Sequence, residues 1–399
     1  YGRISLGQHV SIFVGGIAHE MGHALGLPHC RERDDEAARG TALMGSGNRT
    51  YGDELRGDGK GSFLTLAHAI RLASHPQFSG SVKGMRDPVK ASFSDLAVTP
   101  AADGRSFVVR GRVTGAPPVY GVVGYLDPDG GGDYDARTVT AVPDAEGRFV
   151  LACTPLVAGR AAELRVVACH ASGGTSTIRH GYSVARDGTI DVAALAANFG
   201  LGDFLAALER EGPAAAAPFR DALPADSLAR RLASAILAGR DPRREGTAPA
   251  EVPADAREFP LSRATPVEAR VGWLAPAYDA LPRRAALFTA GGRIFETGIY
   301  AHAPALHRYD LDGAWGRLRG SCGLVDQADG SVVGVVRGDG QELFRSRRLA
   351  AGQVQDFDVD VAGVRELELV VEDAGDGRAA DWAAWLDPRL VRTPTAVAP

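Results

Sequence analysis

Between residues 89 and 184 apolar and polar positions alternate with a period of two, broken by Gly, Pro and Asp. Segments 91–98, 105–113, 119–126, 137–142, 148–153, 162–170 and 176–183 read as seven short strands. The alternation returns after residue 267. In QDFDVDV, Phe357, Val359 and Val361 share one face, and in RELELVVED, Leu367, Leu369 and Val371 do the same. Gly338-Asp339-Gly340 reads as a turn between two further strands. Three- and four-residue steps mark helices. Phe63, Leu66, Ala67 and Ile70 predict one over 62–75, stopped by Pro76. Two more are expected at 191–211 and 225–238, split by the run GPAAAAP. Residues 240–266 carry Pro and charge without periodicity and read as a linker.

These elements predict a multidomain chain. Residues 86–186 should form an immunoglobulin-like β-sandwich, 187–240 a short helical segment, 241–266 a linker, and 267–391 a jelly-roll β-sandwich. A length of 399 residues fits two to four domains, and 45% hydrophobic with 23% charged residues supplies material for several cores. A net charge of −5 without a basic block gives no footprint for nucleic acid. No run approaches 18 consecutive apolar residues, so no membrane span is expected, and no signal peptide is visible after Tyr1. The four cysteines are too few for a disulfide scaffold. Cys153 and Cys169, on consecutive predicted strands, either bridge or stay as unpaired core residues.

The chemistry concentrates in AHEMGHALGLPH, residues 18–29. Here His19, Glu20, His23, Gly26 and His29 form the pattern H-E-x-x-H-x-x-G-x-x-H. On a helix His19 and His23 lie one turn apart on one side, the spacing at which two imidazoles share a zinc ion. Gly26 lets the helix end and brings His29 round as third ligand. Three neutral nitrogens leave a fourth position for water, whose pKa zinc lowers to about 7. Glu20, beside His19, is placed to take that proton as general base.

The long motif resembles the metzincin clan of zinc metallopeptidases. Ala42-Leu43-Met44-Gly45 stands where the clan has its Met-turn. The resemblance implies that Met44 is an apolar floor beneath the metal and that residues 1–85 are the α+β lower subdomain of a catalytic domain. It also implies Zn2+ as cofactor and a protein or peptide as substrate. Only eighteen residues precede His19, so an upstream sheet of the catalytic domain is expected to be missing and the chain as given is expected to be an inactive fragment of a zinc metallopeptidase. Two departures stand out. Cys30 follows the third His, and Ser46 occupies the position where astacin- and serralysin-like enzymes carry Tyr. Tyr51 is the nearby candidate for that role, and Cys30 a remote candidate ligand.

Residues 267–391 resemble NPCBM, a family of carbohydrate-binding modules, through GIYAHAP (298–304), YDLDGAW (309–315), GSVVGVVRGDGQELFRS (330–346), GVRELELVVEDAGDG (363–377) and DWAAWLDPRL (381–390). The resemblance implies a glycan ligand. Trp273, Trp315, Trp382 and Trp385 all fall here, and no sugar-contacting residue can be named among them. Two acidic clusters, Asp127, Asp129, Asp133 and Asp135, and Glu372, Asp373, Asp376 and Asp381, read as turn residues rather than calcium sites. His68, His75, His170 and His180 read as structural or surface residues. The expectation is a secreted or cell-surface bacterial zinc endopeptidase, with the sandwich as spacer and a glycan-targeting module. The alternative is a non-catalytic glycan-binding or adhesion protein with a relic zinc domain.

Overall fold

Ser5 and Gln8 form a reciprocal capping box that starts helix α1 (Leu6–Ala24). Gly26 ends it with φ at 78°, a left-handed position open to glycine. The helix buries Gly15, His19 and Gly22 and leaves Leu6, Val10, Phe13, Ile17 and Met21 exposed. Its inner face is therefore its small face, and the chain crosses it closely. A Cβ on Gly15 would lie 2.3 Å from the Asn48 carbonyl oxygen, and one on Gly22 2.2 Å from Met44 Sδ.

The computed structural model describes residues 4–80, 84, 86–128, 134, 136–154, 157–239, 252, 255–282, 288–291, 293–295, 297–325, 328 and 330–392. The chain divides into two units, 1–199 and 200–399.

In the first unit the helix expected over 62–75 is shorter. Ser62–Phe63 is extended and pairs in parallel with Thr41–Ala42, and α2 runs only Leu66–Leu72. The Leu43 N–H donates to the Phe63 carbonyl at 2.8 Å, which holds the approach to α2 extended. Buried Glu36 then accepts from the Leu66 N–H at 2.8 Å, capping α2 from a distant loop.

Seven strands follow: β1 (Lys90–Pro100), β2 (Phe107–Ala116), β3 (Val119–Pro128), β4 (Arg137–Ala141), β5 (Arg148–Cys153), β6 (Arg160–His170) and β7 (Thr175–Val184). They form two antiparallel sheets, β1-β2-β5 and β4-β3-β6-β7. Phe107, Val109, Phe149 and Leu151 of one sheet pack on Val122, Leu126, Leu164 and Val166 of the other. Cys153 and Cys169 lie in different sheets and different apolar clusters, so the bridge considered between them does not form.

The sandwich packs directly on the preceding segment. Strand β3 is buried on both faces. Outward-facing Val123 and Tyr125, with Val167 and Cys169 of β6, form a cluster with Cys30 and Ala67 of the preceding segment. Gly121 permits the contact, since a Cβ there would meet Ile70 Cγ2 at 2.7 Å. The Tyr120 hydroxyl donates to the Ile70 carbonyl, and the Arg31 N–H to the Ala136 carbonyl at 2.9 Å. Expected as separate domains, 1–85 and 86–186 pack against each other through this cluster, which is distinct from the sandwich core.

Helix α3 (Val192–Glu211) places Leu195 and Phe199 in the sandwich core. By length and composition it is long and apolar enough to cross a membrane, although it contains no run of 18 consecutive apolar residues. Its Leu195, Phe199, Phe204 and Ala207 are buried in the protein. The run GPAAAAP, expected to separate two helices, is itself helical: α4 (Pro213–Ala222) opens on a proline and continues through alanine. Helix α5 (Leu228–Leu237) is capped by Ser227.

The rest of the second unit is a two-sheet antiparallel sandwich. Its strands are β8 (Glu258–Pro260), β9 (Glu268–Arg270), β10 (Gly298–Tyr300), β11 (Ala305–Asp310), β12 (Arg317–Leu324), β13 (Ser331–Gly338), β14 (Gln341–Arg345), β15 (Val354–Asp360), β16 (Glu366–Glu372) and β17 (Ala383–Val391). One sheet runs β8-β17-β12-β15, with β10 also on β17, and the other β9-β11-β16-β13-β14. The Asp339-Gly340 turn has positive φ at both positions, 47° and 78°, the geometry that suits a two-residue hairpin. The linker expected up to 266 ends earlier: β8 pairs with β17, and Leu261 is fully buried in the core. Residues 240–251, 253 and 254 of that linker lie outside the described residues.

Candidate metal centre

His19, on the buried side of α1, and His23, one turn on, point their rings to a common place. After Gly26 the Leu27 N–H returns to the Gly22 carbonyl at 3.0 Å. This reversal carries His29 back to them. His29 Nε2 lies 3.1 Å from His19 Nε2 and 2.9 Å from His23 Nε2. Among the described residues this trio is the group whose donor atoms could hold one metal ion.

The opposite ring nitrogens fix the tautomers. His19 Nδ1 donates to the Leu43 carbonyl at 2.7 Å and His23 Nδ1 to the Leu27 carbonyl at 2.9 Å. A proton held at Nδ1 leaves the Nε2 lone pair free, the arrangement of a metal-ligating histidine with its outer partner. Three convergent neutral imidazoles suit zinc. The Leu27 carbonyl comes from the local reversal at Gly26, and the Leu43 carbonyl from the separate segment before Met44.

Met44 is fully buried against Gly22, with Leu27 and Leu72 around it. It sits beneath α1 between the turns that carry the histidines, and contributes packing. Glu20 is exposed and shares a shallow apolar depression with Phe13, Ile17 and Met21. Among the described residues it has no ion-pair partner, and the depression it lines includes none of the three histidines.

Cys30 turns away from the histidines. Its thiol is buried against Thr65 and His68, at 3.6 Å and 3.5 Å, and burial pushes its pKa up to about 12. It is a core residue, not a fourth ligand. Tyr51 packs beside Gly15, a turn before His19. The aromatic ring on the trio is one that sequence reasoning missed. Tyr134, from the β3–β4 turn, stacks on His29 with centroids 3.9 Å apart and planes at 23°. No periodicity or motif marked it, because its position depends on the packing of the sandwich.

The other candidates resolve locally. His68, His75, His170 and His180 are buried, and desolvation lowers the pKa of His68 and His180 to about 4. Asp127 pairs with Arg165 at 2.8 Å. Asp129, Asp133 and Asp135 lie outside the described residues. Glu372 pairs with Arg345 at 2.8 Å and Asp376 with Arg348. Asp381 is buried, accepting from the Ser331 N–H at 2.9 Å, and desolvation raises its pKa to about 7.

In the C-terminal sandwich Trp315, Trp382 and Trp385 are core residues, whereas Trp273 is 49% exposed. Arg378, also exposed, bonds the Gly272 carbonyl at 3.4 Å, and the His302 carbonyl accepts from the Gly272 N–H at 2.9 Å. Trp273, Arg378 and His302 therefore converge on one short stretch of backbone.

Residues 257–391 match the family described as the NPCBM/NEW2 domain. Among solved structures the chain is similar to CBM51 from Clostridium perfringens GH95 in complex with methyl-galactose (24% identity, 34% of this chain and 99% of that chain, TM-score 0.32). It is also similar to OgpA from Akkermansia muciniphila (24% identity, 48% of this chain and 54% of that chain, TM-score 0.41). A third likeness is to the M60 catalytic domain with the CBM51-1 and CBM51-2 domains from Clostridium perfringens ZmpB (16% identity, 77% of this chain and 31% of that chain, TM-score 0.32). The chain thus spans about half of the OgpA chain and under a third of that ZmpB chain. No curated protein matches it.

Proposed function

We propose that this chain carries the metal-binding part of a zinc-dependent endopeptidase, joined to a module that binds a carbohydrate. The observation that carries the reading is the convergence of three Nε2 atoms, two of them on rings whose Nδ1 is tied to a carbonyl. Bound zinc supplies Lewis acidity and makes water acidic at neutral pH. His19, His23 and His29 hold the ion, and Met44 with Leu27 and Leu72 keeps the underside of the site dry. Glu20, exposed and one residue from His19, accepts the proton released when water attacks the scissile carbonyl and passes it to the leaving amine. The NPCBM-type domain places the activity near glycan-bearing substrate, with Trp273 as the exposed ring on which a sugar can stack. This reading carries with it a secreted or cell-surface site of action.

Elemental analysis and peptide-library cleavage test it together. Wild type should hold one zinc and His23→Ala none. Glu20→Gln should keep the zinc and lose hydrolysis by about 10²–10⁴-fold. Equal zinc in wild type and His23→Ala would sink the metal site. Zinc without cleavage in any variant would favour the non-catalytic adhesion reading.

A further inference from the structure

The trio is not walled by its own segment alone. Tyr134 belongs to the sandwich, yet its ring lies on His29 and runs nearly parallel to His19, with centroids 5.9 Å apart and planes at 19°. The chain just beyond it is anchored to the chain just beyond His29. Ala136 is fully buried in the cluster that holds Cys30, and its carbonyl accepts from the Arg31 N–H at 2.9 Å. Arg137 adds an ion pair to Asp34 at 3.1 Å. The chain at Ala136 and the chain at Arg31 are therefore tied together two residues from each ring. Despite this, Tyr134 remains 48% exposed. A ring serving only to brace His29 would be expected to bury its outer face as well. Here one part rests on the imidazole and the rest is presented to solvent directly beside the metal donors.

We propose that Tyr134 is a substrate-contacting wall of the metal site, so that the sandwich is part of the peptide-binding apparatus. The inference rests on the metallopeptidase reading. The face of a phenol ring takes flat or apolar groups, and its hydroxyl adds a polar tip at the rim. The group it meets is the planar or aromatic part of the substrate next to the carbonyl that approaches the histidines. Tyr134 acts by contact and orientation, and moves no proton in this account.

Cobalt(II) and two hydroxamates of different size test the wall without relying on turnover. Cobalt(II) reports occupancy through its visible spectrum. Acetohydroxamic acid probes the metal alone, and benzohydroxamic acid probes the metal and a neighbouring flat group. In Tyr134→Ala cobalt affinity should stay within about threefold, acetohydroxamate binding should be unchanged, and benzohydroxamate should weaken about tenfold, the scale of one aromatic contact. Tyr134→Phe should restore the loss, and Tyr134→Leu, which keeps bulk without the ring, should restore only part of it. Cobalt uptake with equal benzohydroxamate affinity in wild type and Tyr134→Ala would overturn the wall and leave the metal site standing. Weakening of cobalt and both hydroxamates together would show a bracing role for His29 and also overturn it. A wild type that takes up no more cobalt than His23→Ala would bring down the metal reading and this inference with it.

Discussion

The two ends of this protein are built by opposite means. Around the histidines, regular structure is sparse: one long helix, two short ones (Asp53–Arg56 and Leu66–Leu72), and a two-residue parallel pair. Close contact is made by leaving side chains out, at Gly15, Gly22 and Gly121. The C-terminal sandwich fills its centre with large rings and branched side chains, among them Trp385, Tyr300, Tyr309 and Phe288. The first design positions chemistry, because backbone carbonyls can reach the imidazoles. The second positions a scaffold and leaves chemistry to whatever projects from it, such as Trp273.

If the contrast is right, tryptophan truncations should separate by place. Trp385 is fully buried against Phe357, and replacing it by alanine should cost about 3–5 kcal/mol, read from the denaturant midpoint of the second unit. Trp273→Ala should stay within about 0.5 kcal/mol of wild type and instead reduce binding on a glycan array. A large stability loss at Trp273 would make it a packing residue and remove it from sugar recognition.

Glycines offer the matching test in the first unit, with a smaller expected effect. Gly22→Ala drives a methyl against buried Met44 and should destabilise by about 1–3 kcal/mol, with weaker zinc retention. Gly16→Ala, on the same helix with nothing within 4 Å of its added carbon, should stabilise by about 0.5–1 kcal/mol. Effects of the same sign at both positions would show that helix propensity, not close approach, governs α1.

Legibility followed the same divide. Alternation placed every sandwich strand from β1 to β7 to within about three residues, because period two with Gly and Pro punctuation is a local signal. The five-position motif named the three histidines that the structure brings together, since helix spacing and a Gly turn are also local. What stayed hidden depended on distant chain. The early end of the helix expected over 62–75 is set by Phe63 pairing across to Leu43. The module's start lies before 267, because β8 is ordered only by pairing with β17, more than a hundred residues on. Tyr134 sits in an Asp- and Gly-rich turn whose composition gives no hint that it reaches His29. Phe13 and Ile17 of α1 are exposed.

The smallest expected effect concerns a single carboxyl in the sandwich that otherwise relies on apolar packing. Asp381 is buried beside Ser331, with Asp376, Asp373 and Arg348 as its charged neighbours, and its folded pKa is raised to about 7. In the unfolded chain it returns to about 3.9. Between these values the folded state keeps a proton that the unfolded state has released, so stability from this group falls as pH rises from about 4 to about 7. Arg348 and solvent reduce the effect, because part of the new charge is screened. The second unit should therefore melt slightly higher at pH 5 than at pH 8. Asp381→Asn keeps an oxygen for the Ser331 N–H and cannot titrate, so its melting profile should be flatter over that range. Matching pH profiles in wild type and Asp381→Asn would mean that the carboxyl ionises freely in the fold, and that this sandwich tolerates a buried charge as readily as the first unit tolerates its cluster of imidazoles.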